Sequence, residues 1–191
     1  MRKIIPKTEE QKKKNKNQWM VGGVLIFVMV FSVLGYSLNN QPNNANTQVS
    51  YNGFKFTQSS GLWHLQKGNF NFSFVYNPQE VSATNSILNP LENYTGKPLY
   101  IYSDSQEAAT DIYRNLFYNT GIVQRVQDAC FVGKNCSAEI PIKTCDNNFI
   151  IIQEGNETQI KQQGNCVFIE GKMENLTQIS DSFLYKLIGI Q

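Results

Sequence analysis

Residues 19–38, WMVGGVLIFVMVFSVLGYSL, contain no charged side chain. Twenty residues of helix at about 1.5 Å per residue cover about 30 Å, the thickness of a bilayer's hydrocarbon core. Trp19 and Tyr36 lie near the two ends, where amphipathic rings prefer the headgroup level. A helix buried in a globular core would be amphipathic or shorter, and would not need a basic cluster against one end. The run therefore predicts a single transmembrane helix whose partner is the lipid bilayer.

The flanks predict its orientation. Residues 1–18 carry Arg2, Lys3, Lys7, Lys12, Lys13, Lys14 and Lys16 against Glu9 and Glu10. Such a tail stays in the cytoplasm, which places everything beyond residue 38 outside. It reads as a topology signal leaning on anionic headgroups rather than as a docking site. The rival is a cleaved signal peptide, with Val33-x-Gly35 and Gly35-x-Ser37 as small-residue pairs. The long basic region and an apolar stretch beyond the usual 7–15 or so residues favour an uncleaved signal anchor. Subtracting the tail from totals of 17 basic and 15 acidic residues leaves ten basic and thirteen acidic side chains. That slightly acidic remainder lacks the concentrated basic surface that nucleic-acid binding requires.

Residues 39–50 open with NNQPNNANTQ, a nearly unbroken Asn/Gln stretch that buries too little to offset its ordering entropy and reads as a flexible linker. The folded domain is expected over 51–191. Short strands are expected at 54–56 and 62–65. In 69–78, Phe70, Phe72, Phe74 and Tyr76 alternate onto one face, which reads as a core stripe. PLYIY at 98–102 is another strand, and 122–127 returns to the sheet. A helix over 105–120 has Asp104 as its cap and an apolar face of Ala109, Ile112, Tyr113, Leu116 and Phe117. Strands at 149–153, 158–161 and 166–170, parted by EGN and QQGN turns, suggest an antiparallel meander. A second amphipathic helix over 176–188, capped by Asn175, turns Leu176, Ile179, Phe183, Leu184, Leu187 and Ile188 inward. The order of elements predicts an α+β fold: an N-terminal transmembrane helix, then a mostly antiparallel sheet with two amphipathic helices.

All four cysteines, Cys130, Cys136, Cys145 and Cys166, fall in the domain expected outside the membrane. In an oxidising compartment an even count reads as disulfides. Zinc ligands come in closer pairs, and a thioredoxin-like centre needs C-x-x-C, so no metal, cofactor or redox centre is expected. The favoured pairing is Cys130–Cys136, closing a small loop, with Cys145–Cys166; Cys130–Cys145 with Cys136–Cys166 is the alternative.

No catalytic residue is assigned. The one histidine, His64, lies on a short strand with no nucleophile motif beside it. Asp104, Glu107 and Asp111 cluster at a helix start, where capping and the helix dipole account for acids. Five N-x-[ST] sequons occur, at Asn71, Asn93, Asn135, Asn156 and Asn175, and Asn71 and Asn156 are the best-placed glycan acceptors. The sequence thus reads as a single-pass anchored, extracytoplasmic module that binds another envelope protein or a surface polymer. A carboxylate-dependent envelope hydrolase and a thiol-redox protein are the alternatives.

Overall fold

A computed structural model describes residues 19–32 and 47–191, apart from Asn135. The basic tail, the last part of the apolar run, most of the expected linker and the Asn135 sequon lie outside the described residues. Two compact units are present, dividing after Ala45.

In the first unit, residues 19–32 form helix α1. Apolar side chains are exposed around its circumference, from Trp19 at 84% to Val30 at 49%. Among the described residues, no helix is long and apolar enough to cross a membrane.

The second unit begins with four strands, β1 (Gln48–Tyr51), β2 (Phe54–Ser59), β3 (Leu62–Lys67) and β4 (Phe70–Phe74), paired in order and antiparallel. The expected linker therefore ends three residues early, because Gln48, Val49 and Ser50 pair with β2. Asn52-Gly53 and Ser60-Gly61 join the first strands with both residues of each pair at positive φ. That is the two-residue hairpin geometry whose twist matches the flanking strands.

An irregular stretch then leads to β5 (Pro98–Ser103), helix α2 (Gln106–Tyr113), a wide π-helical turn (Arg114–Tyr118) and β6 (Arg125–Asp128). After them come β7 (Cys130–Phe131), β8 (Ile142–Lys143), β9 (Phe149–Glu154), β10 (Gln159–Gln163), β11 (Cys166–Gly171) and helix α3 (Leu176–Leu187). The second sheet has the order β10-β11-β9-β5-β6. Here the expected meander is corrected. Only β10 and β11 pair antiparallel, whereas β11 lies parallel to β9, and β5 is parallel to both β9 and β6. Alternation along a strand says which face is buried but nothing about which neighbour it finds. The fold is α+β, with an antiparallel sheet at β1–β4 and a mixed sheet after it.

The two helices lie between the sheets. Phe183 and Leu184 of α3 are fully buried, and its Tyr185 ring meets Phe74 at 4.3 Å and Phe56 at 5.8 Å between centroids. The main core joins these to Leu99, Ile112, Leu116, Ile150, Ile152, Val167 and Ile169. Both edges of α3 are thus covered, so its polar residues Thr177, Ser180, Asp181 and Ser182 are buried too. Gly171 completes the fit, since a Cβ there would collide with Ile179. On the far side of the mixed sheet a smaller cluster forms around Tyr100, Phe149, Ile151 and Cys166, covered by the stretch 129–148.

Candidate functional site

The three acids that cluster in sequence are not brought together. Asp104 is exposed and accepts from the Glu154 amide at 2.9 Å and the Tyr102 hydroxyl at 3.1 Å. Ser105, not Asp104, caps α2: its hydroxyl accepts from the Ala108 amide at 3.3 Å. With Asp104 drawn to the start of the next strand's exit, the cap moves one residue on. Glu107 is exposed on the first turn, and Asp111 alone points inward, with no exposed surface.

Asp111 finds a partner that spacing could not indicate, Asp181 of α3, equally buried. One Asp111 oxygen meets the Arg114 guanidinium at 2.6 Å. One Asp181 oxygen accepts from the Tyr76 amide at 2.8 Å. Asp111 Oδ2 and Asp181 Oδ1 find no conventional donor, and the two carboxyl groups lie close enough for each to shift the other. Two dry carboxylates in contact cannot both ionise, so the pair holds a shared proton. Burial raises the pKa of each above the ordinary carboxylate range. Asp181 is raised further, by its bond to Asp111, while the bond from Asp181 and the charge of Arg114 pull Asp111 back. Asp181 is the more strongly raised of the two. The pair ties α2 to α3 and α3 to the chain leaving β4. Sealed from solvent, it is a structural clasp that no substrate reaches.

From this clasp a polar row runs to the surface. The wide turn after α2 aims Arg114, Asn115 and Asn119 at β4. Arg114 donates to the Ser73 carbonyl at 3.2 Å. Asn115, fully buried, accepts from the Ser73 amide and donates to the Ser73 carbonyl, both at 2.8 Å. Its carboxamide thus pairs with β4 as a neighbouring strand would. The Ser73 hydroxyl accepts from Asn119 at 3.2 Å and lies 3.0 Å from His64 Nδ1, while His64 Nε2 lies 3.2 Å from the Ser59 carbonyl. A carbonyl only accepts, which puts the ring proton on Nε2 and leaves Nδ1 to accept from Ser73. This is a hydroxyl–imidazole pair, yet Ser73 is 7% exposed and its own amide is committed to Asn115.

The cysteines form Cys130–Cys136 and Cys145–Cys166, with Cα atoms 5.9 and 4.9 Å apart. These are the local pairings expected from the spacing. The second joins the entry of β9 to the start of β11, one strand away. Asn71 and Asn156 are both exposed, Asn71 on β4 and Asn156 in the turn after β9. Asn175 precedes α3 but makes no side-chain cap bond.

A recess runs along β10, the edge strand of the mixed sheet. A groove of about 640 Å³ lies between β10, the stretch 82–86 and the first turns of α3. Its lining mixes hydroxyl and carboxamide groups, Thr84, Asn85, Thr158 and Gln178 among them, with Lys161 and the apolar side chains of Ile160 and Ile179. Ser86 donates to the Ile160 carbonyl, so that residue's backbone faces outward, away from β11. Sequence reading missed this groove because it is assembled from three segments with no shared motif. No protein-family model, no curated protein and no solved structure matches the chain.

Proposed function

We propose that this chain is a single-pass membrane-anchored module whose domain lies outside the cytoplasmic membrane and binds an extended segment of another envelope protein. Binding, rather than catalysis, is its task. The observation that carries the reading is the groove along β10: an edge strand unpaired with any further strand, its Ile160 carbonyl held by Ser86, beside hydroxyl and carboxamide groups and Lys161. The remaining groups of such an edge offer main-chain hydrogen bonds to an added strand, and the hydroxyl and carboxamide side chains beside it can pair with a backbone. A neutral surface polymer would use the same donors and acceptors, and is the competing occupant.

The uncharged run 19–38 beside seven basic residues supports the anchor. The two disulfides support the compartment, since such bonds persist where thiols are oxidised. The test is a photo-crosslinking residue placed at Thr84 and, separately, at Lys161 in the living cell. The expected result is the same discrete protein adduct from both positions. Repeated irradiation giving no protein adduct at either position, with the chain present at normal amount, would overturn it. Intact mass of the full chain from its native membrane checks the anchor: residues 1–38 retained, and thiols blocked until reduction.

A further inference from the structure

The outer face of the mixed sheet brings two cations to one phenol. Tyr100 and Tyr102 alternate onto this face of β5, and the parallel register sets Pro98 against Arg125 and Tyr100 against Gln127. Arg125 therefore projects on the same side as Tyr100, one register step away. Its guanidinium lies 3.4 Å from the Tyr100 hydroxyl. The stapled stretch supplies the second cation. β8 pairs with β7 beside the Cys130–Cys136 bond, and the Lys143 ammonium stands 4.5 Å from the Tyr100 ring centroid. Next along β5, Lys134 lies over Tyr102 at 5.6 Å.

Neither Arg125 nor Lys143 is neutralised. The one ion pair among the described residues is Arg114–Asp111, inside the core. The nearest acid on β6, Asp128, sits opposite Ile101 and so belongs to the other face. Asp104, near Tyr102, is taken by that hydroxyl and the Glu154 amide. Tyr100 reports the result: its hydroxyl is held below the ordinary phenol value by the bond from Arg125 first, against the opposing effect of burial, with Lys143 adding to it. Two like charges converging without a counter-ion repel each other, and a bound anion removes that cost.

We propose that Arg125, Lys143 and the Tyr100 hydroxyl form a binding site for a phosphate group. The guanidinium offers a planar fork of N–H donors, the ammonium a compact charge, and the phenol a neutral O–H. Together they bring two units of positive charge and three kinds of donor to one side chain, Tyr100. The site lies on the outer face of the mixed sheet and does not depend on the β10 groove. The phosphate has two sources, a lipid headgroup or a water-soluble phosphate.

The test uses the full chain with ring-labelled tyrosine, in neutral detergent micelles at constant ionic strength. The Tyr100 resonance is identified by its loss in Tyr100→Phe and followed as inorganic phosphate replaces chloride. The expected result is a saturable shift, weakened at least tenfold in the Arg125→Gln/Lys143→Gln double variant. Both substitutions lie outside the main core, and retention of the other tyrosine shifts verifies the fold. A linear, unsaturable shift, or an identical curve in the double variant, would overturn the site. A second arm places the chain in bilayers with or without phosphatidylglycerol. A Tyr100 shift on adding that lipid identifies a headgroup as the source; a response to inorganic phosphate alone identifies a soluble one.

Discussion

The two faces of the mixed sheet are finished in different ways. Towards α2 and α3, Leu99, Ile101, Ile150, Ile152, Val167 and Ile169 meet helices drawn from the chain's most periodic stretches. Towards the outside, Tyr100, Phe149 and Ile151 are covered by residues 129–148, whose only regular structure is two strands of two residues. A helix brings its own hydrogen bonds and a continuous apolar stripe, so burial alone holds it. A near-structureless cover brings neither, and the two disulfides lie there. Cross-links restrict the unfolded chain where packing is thin. Aromatic edge contacts then fill the gap, Phe131 meeting Phe149 at 5.8 Å and Phe168 at 5.5 Å between centroids.

The contrast can be broken by substitution on each face. The largest effect is expected from Phe183→Ala in the middle layer. Deleting a fully buried ring between two sheets should cost about 3–5 kcal/mol, read as a fall in the urea midpoint of the full chain. A loss under about 1 kcal/mol would mean that the helices are not the packed face. Next come the staples. The Cys145–Cys166 bond spans 21 positions and the Cys130–Cys136 bond spans 6. Loop-closure entropy puts their removal at about 3 and about 2 kcal/mol. Paired Cys→Ala variants measured the same way test that order. If the short loop proves the costlier, strain or local packing governs the outer face instead of chain entropy.

The smallest effect is a slope. Burial and the bond to Asp111 keep the Asp181 carboxyl neutral well above its ordinary value. Between about pH 4, where an unfolded Asp titrates, and that raised value, the folded chain binds more protons than the unfolded one. The clasp's contribution is complete below about pH 4 and drains away as pH rises through the folded-state value. Asp181→Asn retains an acceptor for the Tyr76 amide and a permanent donor for Asp111, without the titration. Urea midpoints at pH 5 and pH 8 should therefore differ less in the variant than in the parent. An unchanged difference would show that other groups carry the pH dependence.

Much of this architecture is legible in the sequence. Alternation locates β2, β3, β4 and β5, and heptad-like spacing picks out the apolar faces of α2 and α3. Cysteine spacing suggests the two bonds. What escapes is long-range. Nothing local tells β9 to lie parallel to β11, because both are uniformly apolar runs that suit any interior neighbour. Asp181 escapes because it stands on what reads as the solvent face of an amphipathic helix. One clue was present: four of its polar residues, Thr177, Ser180, Asp181 and Ser182, have short side chains. Side chains that short suit a covered surface better than an open one. The Arg125–Tyr100–Lys143 cluster escapes for the same reason as the β10 groove, being assembled from separate strands by the sheet's register.

Asn115 carries a consequence beyond its own bonds. An uncovered strand edge is a template on which a second molecule can continue the sheet, and proteins blunt such edges with lysines, prolines or bulges. On β4 the blunt is one carboxamide, occupying the N–H and C=O of Ser73 that an incoming strand would need. The antiparallel sheet cannot be extended past that residue while the wide turn holds Asn115 in place. Loosening the turn would do more than unpair a side chain: it would release the Ser73 N–H to an incoming strand and leave its C=O to Arg114 alone.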